Sequence, residues 1–340
     1  MYMVSKSSAD FRKTAAWRAA VFAVMIFLAI AGVVFSLVSG AVKVGVMEIV
    51  NVFAGNVEGA VRDIIWNVRF PRTLVAALVG INLPLAGALL QGVMRNSMAD
   101  PHIIGVSSGA GLFGITVLVL FPAYGYLMTP AAFIGALGAA VLIYALSWHN
   151  GVRPGRLILA GVAVSAFFGS GISALLTFYS DRVDGALLFL VGGLSAKSWP
   201  HLQLLLPYTV IGTVFALICA HRMNILTLGD GEAKGLGLHV ERTRMLVTAA
   251  AALLSASAVS TVGLLGFVGM IVPHAARLLI GDDYRVLLPA TALLGVSALT
   301  IFDTLSRIMF APVELPVGII TGALGAPFFL YLLRKRGMAE

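Results

Sequence analysis

The sequence predicts an all-α, polytopic membrane protein with about ten transmembrane helices. Apolar residues make up 59% of the chain and charged residues only 11%, whereas a soluble domain usually carries about 25% charged residues. The mean hydropathy is +0.98, so the chain needs a bilayer as its solvent. Its 340 residues provide room for about ten crossings of roughly 20 apolar residues each, joined by short connectors.

Ten apolar runs, each bounded by charges, proline or glycine, mark the predicted crossings. The third begins in a Gly/Ser-rich stretch, and the eighth is short. The first is too long for the core of a signal peptide and is followed at once by further crossings, so we expect it to remain as a helix. The predicted crossings are 17–38, 73–93, 103–121, 130–148, 157–179, 202–220, 245–264, 266–280, 286–309 and 316–333.

The chain is expected to form a single transmembrane domain over residues 1–340. The longest polar stretch is the loop 222–244, which is too short for a hydrophobic core of its own. The single cysteine, Cys219, excludes a disulfide framework, and we expect it to pack within a helix.

The distribution of basic residues predicts the orientation. With the N-terminus inside, sixteen Lys and Arg fall on the cytoplasmic side and seven on the outer side, of 23 in all. This excess predicts a protein of the cell membrane with both termini in the cytoplasm. The net charge of +8 then fits loops held near anionic lipid better than it fits nucleic-acid binding.

Two further apolar segments are too short to cross a bilayer. Segment 44–54 carries Glu48 and Asn51 on one side and is predicted to be a helix lying on the outer surface. Segment 184–194, between the fifth and sixth crossings, is either a surface helix or a re-entrant segment that lines a cavity.

The chemistry of an energy source is missing from the sequence. No lysine follows a glycine, so the phosphate-binding loop of an ATPase is absent. Of the fifteen acids, only Asp303 lies clearly within a crossing. Arg307 stands four residues later, a spacing that favours an ion pair. An acid within the membrane is also the usual site of proton or sodium coupling, so a secondary transporter that uses Asp303 is the alternative.

No site for a metal, cofactor or reaction is predicted on this chain. The six histidines form no cluster with the spacing of metal ligands, and no nucleophile stands beside a base. We therefore expect no bound metal, no cofactor and no catalytic residues.

Several motifs in fixed order resemble those of the FecCD-type permeases, which are the membrane subunits of ABC importers for iron–siderophore, haem and cobalamin. The resemblance extends from about residue 69 to 333. The motifs occupy residues 68–74 (VRFPRTL), 87–92 (GALLQG), 95–101 (RNSMADP), 105–110 (GVSSGA), 266–269 (GFVG), 271–274 (IVPH), 314–318 (ELPVG) and 325–329 (GAPFF).

The resemblance implies a homodimer of ten-helix subunits with the transmembrane architecture of type II ABC importers. Two separate ATP-binding cassette subunits would lie on the cytoplasmic side, and an external substrate-binding protein would dock on the other. Segment 184–194 would be a gating helix beside the pathway. The expected function is inward transport of a metal chelate, with iron–siderophore as first choice and haem or cobalamin as alternatives.

The resemblance also assigns candidate sites. Outer arginines would hold acidic groups of the binding protein, because a planar guanidinium binds a carboxylate bidentately; these are Arg69, Arg72 and Arg307. A cytoplasmic element with an unusual share of apolar residues would contact the ATPase; its residues are Asp230, Glu232, Ala233, Leu236, Leu238 and His239.

The loop after the second crossing would form the inner gate through Asn96 and Met98. The alternative is an ordinary tight turn in which Asn96 caps the helix end. Ser97 stands where such proteins usually have proline. Serine restores a backbone N–H and frees φ, which makes the loop more flexible than the family pattern implies.

Overall fold

The computed structural model of the chain is a bundle of α-helices, and it describes residues 14–40, 42, 44–149, 151–152 and 154–337. Of the predicted loop charges, Lys6, Arg12, Lys13, Lys43 and Arg153 lie outside the described residues. The helices are α1 (Ala15–Val38), α2 (Val46–Phe53), α3 (Ala60–Asp63), α4 (Phe70–Met94), α5 (Val106–Leu120), α6 (Met128–Ser147), α7 (Pro154–Phe178), α8 (Val183–Val191), α9 (Trp199–Leu226), α10 (Asp230–Gly235), α11 (Val240–Val262), α12 (Val268–Ile280), α13 (Tyr284–Ile308) and α14 (Val317–Gly337).

Each of the ten predicted apolar crossings corresponds to an apolar helix. Within the described ranges, seven helices are long and apolar enough to cross a membrane, and three shorter apolar helices accompany them. The three shorter apolar stretches are α5, α12 and residues Val317–Leu330 of α14, which correspond to the third, eighth and tenth predicted crossings. The remaining helices, α2, α3, α8 and α10, are short connecting elements.

The stretch 222–244, predicted as the longest polar connection between crossings, is helical over most of its length. Helix α9 continues to Leu226, α10 occupies Asp230–Gly235, and α11 already begins at Val240. Charge bounded the apolar runs in the sequence, but Arg, Lys and Glu are good helix formers. The helices therefore extend past the apolar segment by one or two turns.

Helix α4 forms the centre of the bundle. It follows directly on a π-helix, Ile64–Arg69, and every residue from Leu83 to Met94 is buried. Helices α9, α11, α12 and α13 pack around it. A helix that is apolar on all sides belongs inside a bundle rather than at its lipid face.

Glycines allow α4 to approach its neighbours closely. Pro84 has no N–H, so it leaves the carbonyl of Gly80 without its helical hydrogen bond. That oxygen lies against Gly295 of α13, where an added Cβ would be only 1.8 Å from it. The freed carbonyl thus faces a glycine Cα, a contact that weak Cα–H···O interactions favour.

The same arrangement recurs between α12 and α4. Pro273 frees the carbonyl of Gly269, and a Cβ on Gly87 would lie 1.7 Å from that oxygen. Two proline-freed carbonyls are therefore accommodated by glycines on the facing helices, and both contacts hold α4 in place.

The short helix α8 is anchored to the bundle at its C-terminal end. Leu264 N donates to Phe189 O (3.0 Å), and Gly318 N donates to Gly192 O (3.1 Å). These bonds join α8 to the α11–α12 connection and to the start of α14. They fix the C-terminal end of segment 184–194 to the bundle, and its role as a gating helix stays a prediction.

We expect Gly87→Ala to destabilise the protein by about 1–3 kcal/mol, because the new methyl group overlaps the Gly269 carbonyl. Gly138→Ala in α6 is the matched control, because nothing lies within 4 Å of a Cβ at that position. The midpoint of thermal unfolding of the purified protein in detergent measures both. Equal midpoints for the two variants would contradict the close α4–α12 contact.

Candidate functional site

Two clusters of charged side chains lie at opposite ends of α4. The outer cluster, at the end predicted to face the outside, consists of Arg69, Arg72, Asp303, Arg307 and Glu314. The inner cluster, at the end predicted to face the cytoplasm, consists of Arg95, Asp230, Glu241 and Arg244.

Asp303 is the centre of the outer cluster. Its carboxylate is fully buried and accepts a bidentate pair of hydrogen bonds from Arg72, Nη2 to Oδ1 at 2.9 Å and Nε to Oδ2 at 3.0 Å. Arg307 approaches the same carboxylate, with Nε 3.4 Å from Oδ2. One buried anion thus lies between two guanidinium groups and joins α4 to α13.

The other hydrogen bonds of the outer cluster cap the C-terminal end of α1. Arg69 donates to the carbonyl oxygens of Leu37 (2.9 Å) and Val38 (3.0 Å), and also to that of Val42. Arg307 donates to the Ser36 carbonyl at 3.0 Å. The last carbonyls of a helix lack intrahelical partners and attract cations, so the two arginines act as caps for α1.

The three arginines predicted to dock a binding protein are therefore used inside the chain. Arg69, Arg72 and Arg307 are only 5–6% exposed. They do not form, in this conformation, the exposed basic surface that we expected. Docking at these positions stays a prediction. The expected Asp303–Arg307 ion pair is present, but the stronger partner of Asp303, Arg72, was missed because it is 231 residues away.

Glu314 extends the outer cluster towards the loop after α8. Its carboxylate accepts from Arg72 Nη1 at 2.8 Å and from Ser195 Oγ at 3.4 Å. Lys197 lies in the same loop, where burial lowers the pKa of its ammonium group to about 8. The outer cluster is thus connected to the segment that follows α8.

Asp230 is the centre of the inner cluster. It is the first residue of α10 and accepts from Arg95 Nη2 at 2.9 Å and from Arg244 Nη2 at 3.0 Å. Arg244, 2% exposed, also donates to Glu241 Oε1 (2.8 Å) and to Val152 O (2.7 Å). The cluster thereby joins the end of α4, α10, α11 and the segment before α7.

The residues predicted to contact an ATPase divide into two sets. Ala233 is fully buried, so its assignment to a partner surface is wrong; it anchors α10 to the bundle. Leu238 is half-buried, while Glu232, Leu236 and His239 are exposed.

A second exposed leucine, Leu228, flanks α10, and it was not among the residues predicted to contact an ATPase. Leu228 and Leu236 are 60% and 62% exposed, one before α10 and one directly after it. The signal was present, since Leu228 lies within the stretch 222–244, directly before the glycines and acids of α10.

The predicted inner gate adopts a tight turn. Asn96 Oδ1 accepts from Met98 N at 2.9 Å, and Ala99 N donates to Asn96 O at 3.1 Å. Arg95 ends α4 in the left-handed conformation, with φ of 48°. These bonds support the alternative that Asn96 serves the turn. Met98 is half-buried, and its gating role stays a prediction.

Comparison with known proteins decides the family. The model of the FecCD transport family matches residues 27–335. The chain belongs to the FecCD transport family. Among its relatives, the cobalamin import system permease protein BtuC of Halobacterium salinarum is 44% identical over 274 residues, which are 80% of this chain and 74% of that protein.

Other matches cover more of the chain. The Fe(3+)-citrate import system permease protein YfmE of Bacillus subtilis is 37% identical over 316 residues, which are 91% of this chain and 94% of that protein. A solved structure described as an inward-facing conformation of a metal-chelate type ABC transporter superposes with a TM-score of 0.83 at 30% identity, covering 93% of this chain and 99% of that one. The fold and the family are those of membrane-embedded transport components.

We expect Asp303→Asn to destabilise the protein by about 3–5 kcal/mol, because it leaves the buried guanidinium group of Arg307 without its counterion and leaves Arg72 with Glu314 alone. Asp181→Asn is the control, since its side chain is 74% exposed and its ion pair lies at the surface. Thermal unfolding in detergent measures both. The double variant Arg72→Gln/Asp303→Asn should be less destabilised than the sum of the single variants; strict additivity would contradict the buried pair.

Proposed function

We propose that this chain is the membrane-spanning permease subunit of an ATP-driven importer of a metal chelate, with an iron–siderophore complex as the first candidate. Family membership and the ten apolar helices support this proposal. The mechanism rests on one observation. The exposed helix α10 is joined to the central helix α4 and to α11 by the ion pairs of Asp230 with Arg95 and Arg244. Haem and cobalamin are the alternative cargoes.

The partner that supplies ATP chemistry would bind at α10. Leu228 and Leu236 display apolar surface at the predicted cytoplasmic end of the bundle. Exposed apolar residues on a water-facing element favour a protein partner. We assign them to the groove of an ATP-binding cassette subunit, one for each copy of a homodimer.

The inner cluster would transmit the movement of that partner. Arg95 and Arg244 share the Asp230 carboxylate, so a displacement of α10 acts on the end of α4 and on α11 together. Arg244 passes the displacement to Val152, just before α7. Met98 follows Arg95 closely in the chain, so the loop that holds the proposed gate moves with the same cluster.

Docking of an external binding protein is proposed at the outer cluster. In this structure Glu314 forms an ion pair with Arg72, and the side chain of Glu314 is 43% exposed. Carboxylates of a binding protein would compete with Glu314 for that guanidinium. Because Glu314 also holds Ser195 after α8, docking would release the segment beside the proposed pathway.

The alternative of an ion-coupled transporter gains no support from Asp303. Both of its carboxylate oxygens are engaged by arginines, so neither is free to bind a sodium ion. The buried acid instead explains how the outer ends of α4 and α13 are joined.

Uptake into proteoliposomes tests the proposal. The chain is reconstituted with its ATP-binding cassette partner and binding protein, and labelled ferric siderophore, ferric citrate, haem and cobalamin are supplied in turn. We expect uptake of one of the iron chelates that requires internal ATP and persists when ionophores collapse the ion gradients. Gradient-driven uptake without the ATPase would contradict the proposal.

We expect Leu236→Asp to weaken binding of the ATPase subunit by about tenfold or more, since it puts a charge into an apolar contact. Leu127→Asp at the opposite end of the bundle is the control, because that leucine is also exposed, at 42%. Affinity of the purified subunits measures the effect, and thermal unfolding checks that both variants are folded. Unchanged affinity for Leu236→Asp, with Leu127→Asp also neutral, would remove α10 from the interface.

A further inference from the structure

Two arginines without an ion partner line one cavity at the inner end of the bundle. Arg222 near the end of α9 and Arg242 in the first turn of α11 are both exposed, and with His239 they line a hollow of about 310 Å³, the basic cup. In the described part of the chain, neither guanidinium has a carboxylate within ion-pair distance. Two uncompensated cations facing one hollow predict an anionic ligand.

The end of α11 reinforces the positive potential of the basic cup. His239 is the N-cap residue of α11 and makes no side-chain capping hydrogen bond. The N-terminus of a helix of 23 residues carries a partial positive charge and open N–H groups, which favour a phosphate oxygen. The one acid of this first turn, Glu241, is already paired with Arg244.

An apolar groove continues from the basic cup along α11. Leu246 lines both the cup and a groove of about 290 Å³ between α6, α9 and α11. The walls of this groove are Leu137, Ile211, Gly212, Phe215, Ala249, Ala250 and Leu253. Exposed side chains such as Ile211, at 58%, place the groove on the outside of the bundle, where the bilayer is the solvent.

A second groove, of about 400 Å³, lies beside the first, between α6 and α11. The two share Leu137 and Ala249, which form a ridge between them. The second groove reaches from Met245 to Ala252, which is about 10 Å along the helix at 1.5 Å per residue. Two parallel grooves that begin near one cationic cup have the outline of a lipid with two acyl chains.

Two hydroxyl groups in the second groove lack a hydrogen-bond partner among the described residues. Tyr144 Oη and Thr248 Oγ1 are buried without a hydrogen bond, and Thr248 is only 4% exposed. Buried hydroxyls are nearly always hydrogen-bonded, because an unpaired one costs free energy. An ester carbonyl of a lipid in this groove would supply the missing acceptor.

We propose that the basic cup and the two grooves form a binding site for one anionic diacyl phospholipid. The phosphate lies between Arg222 and Arg242, and one acyl chain fills each groove. Basic pockets between helices at a cytoplasmic membrane face are suited to such headgroups. A zwitterionic lipid would bring its own ammonium group towards the two arginines and is therefore disfavoured. The site is separate from the proposed transport pathway, and its cup adjoins α10 through Leu238 and His239.

Native mass spectrometry of the delipidated full chain in detergent tests the proposal. Dioctanoyl phosphatidylglycerol is titrated against dioctanoyl phosphatidylcholine. We expect one phosphatidylglycerol per chain, bound at least tenfold more tightly than phosphatidylcholine. Arg222→Gln/Arg242→Gln should weaken phosphatidylglycerol by about 30-fold. Arg156→Gln is the matched control, an exposed inner arginine outside the cup, and should leave binding unchanged.

A second variant tests the grooves. Ala249 lies on the ridge between the two grooves, so the side chain introduced by Ala249→Trp should block them and abolish lipid binding. Because the position is exposed, the chain should stay folded. Equal affinity for the two lipids, or full binding by the double arginine variant, would overturn the proposal. Displacement by equimolar inorganic phosphate would show a phosphate site rather than a lipid site. Loss of ATPase capture by the double arginine variant, without any phosphatidylglycerol binding to the wild type, would assign the cup to the partner.

Discussion

The bundle depends on the pairing of arginines that lie inside it. Transfer of a guanidinium group from water into a packed bundle costs several kcal/mol, which only close counterions and hydrogen bonds offset. Arg72 meets this constraint with Asp303, and Arg244 meets it with Asp230 and Glu241. The Arg72–Asp303 pair joins α4 to α13, and Asp230 joins Arg244 of α11 to Arg95 at the end of α4. The pairs that stabilise the buried arginines therefore also fix where both ends of α4 lie.

The outer cluster joins long helices to one another, whereas the inner cluster joins a short helix to long ones. The outer cluster caps α1 and joins it to α4 and α13, which are long helices. The inner cluster joins α4 and α11 to α10, a helix of only six residues with an exposed surface. Between the clusters, glycine contacts without side chains, such as Gly80 with Gly295, pack α4 tightly. We expect a central helix held this way to transmit displacements as a rigid element, and we expect α10 and the segment after α8 to be the parts that move.

Much of the fold follows from composition, because ten apolar runs separated by charge and turn residues leave little choice in a bilayer. Local pairs are also predictable: Asp303 and Arg307 are one helical turn apart. The two charged clusters are not predictable in this way, since Arg72 and Asp303 are 231 residues apart and Arg95 and Asp230 are 135 residues apart. The resemblance to the family placed the outer arginines at a docking surface, whereas the open carbonyls at the end of α1 that accept from Arg69 and Arg307 become visible only in the folded structure.

We infer that Asp230 couples α10 to the rest of the permease. The most direct measurement is the number of chelate molecules imported per ATP hydrolysed by the reconstituted importer carrying Asp230→Asn. Asp282→Asn is the control, an exposed acid at the same end that pairs with Arg277 alone. The account predicts that Asp230→Asn retains ATP hydrolysis but lowers this ratio by about tenfold, with Asp282→Asn unchanged. An unaltered ratio for Asp230→Asn, in an assembled complex, would contradict it.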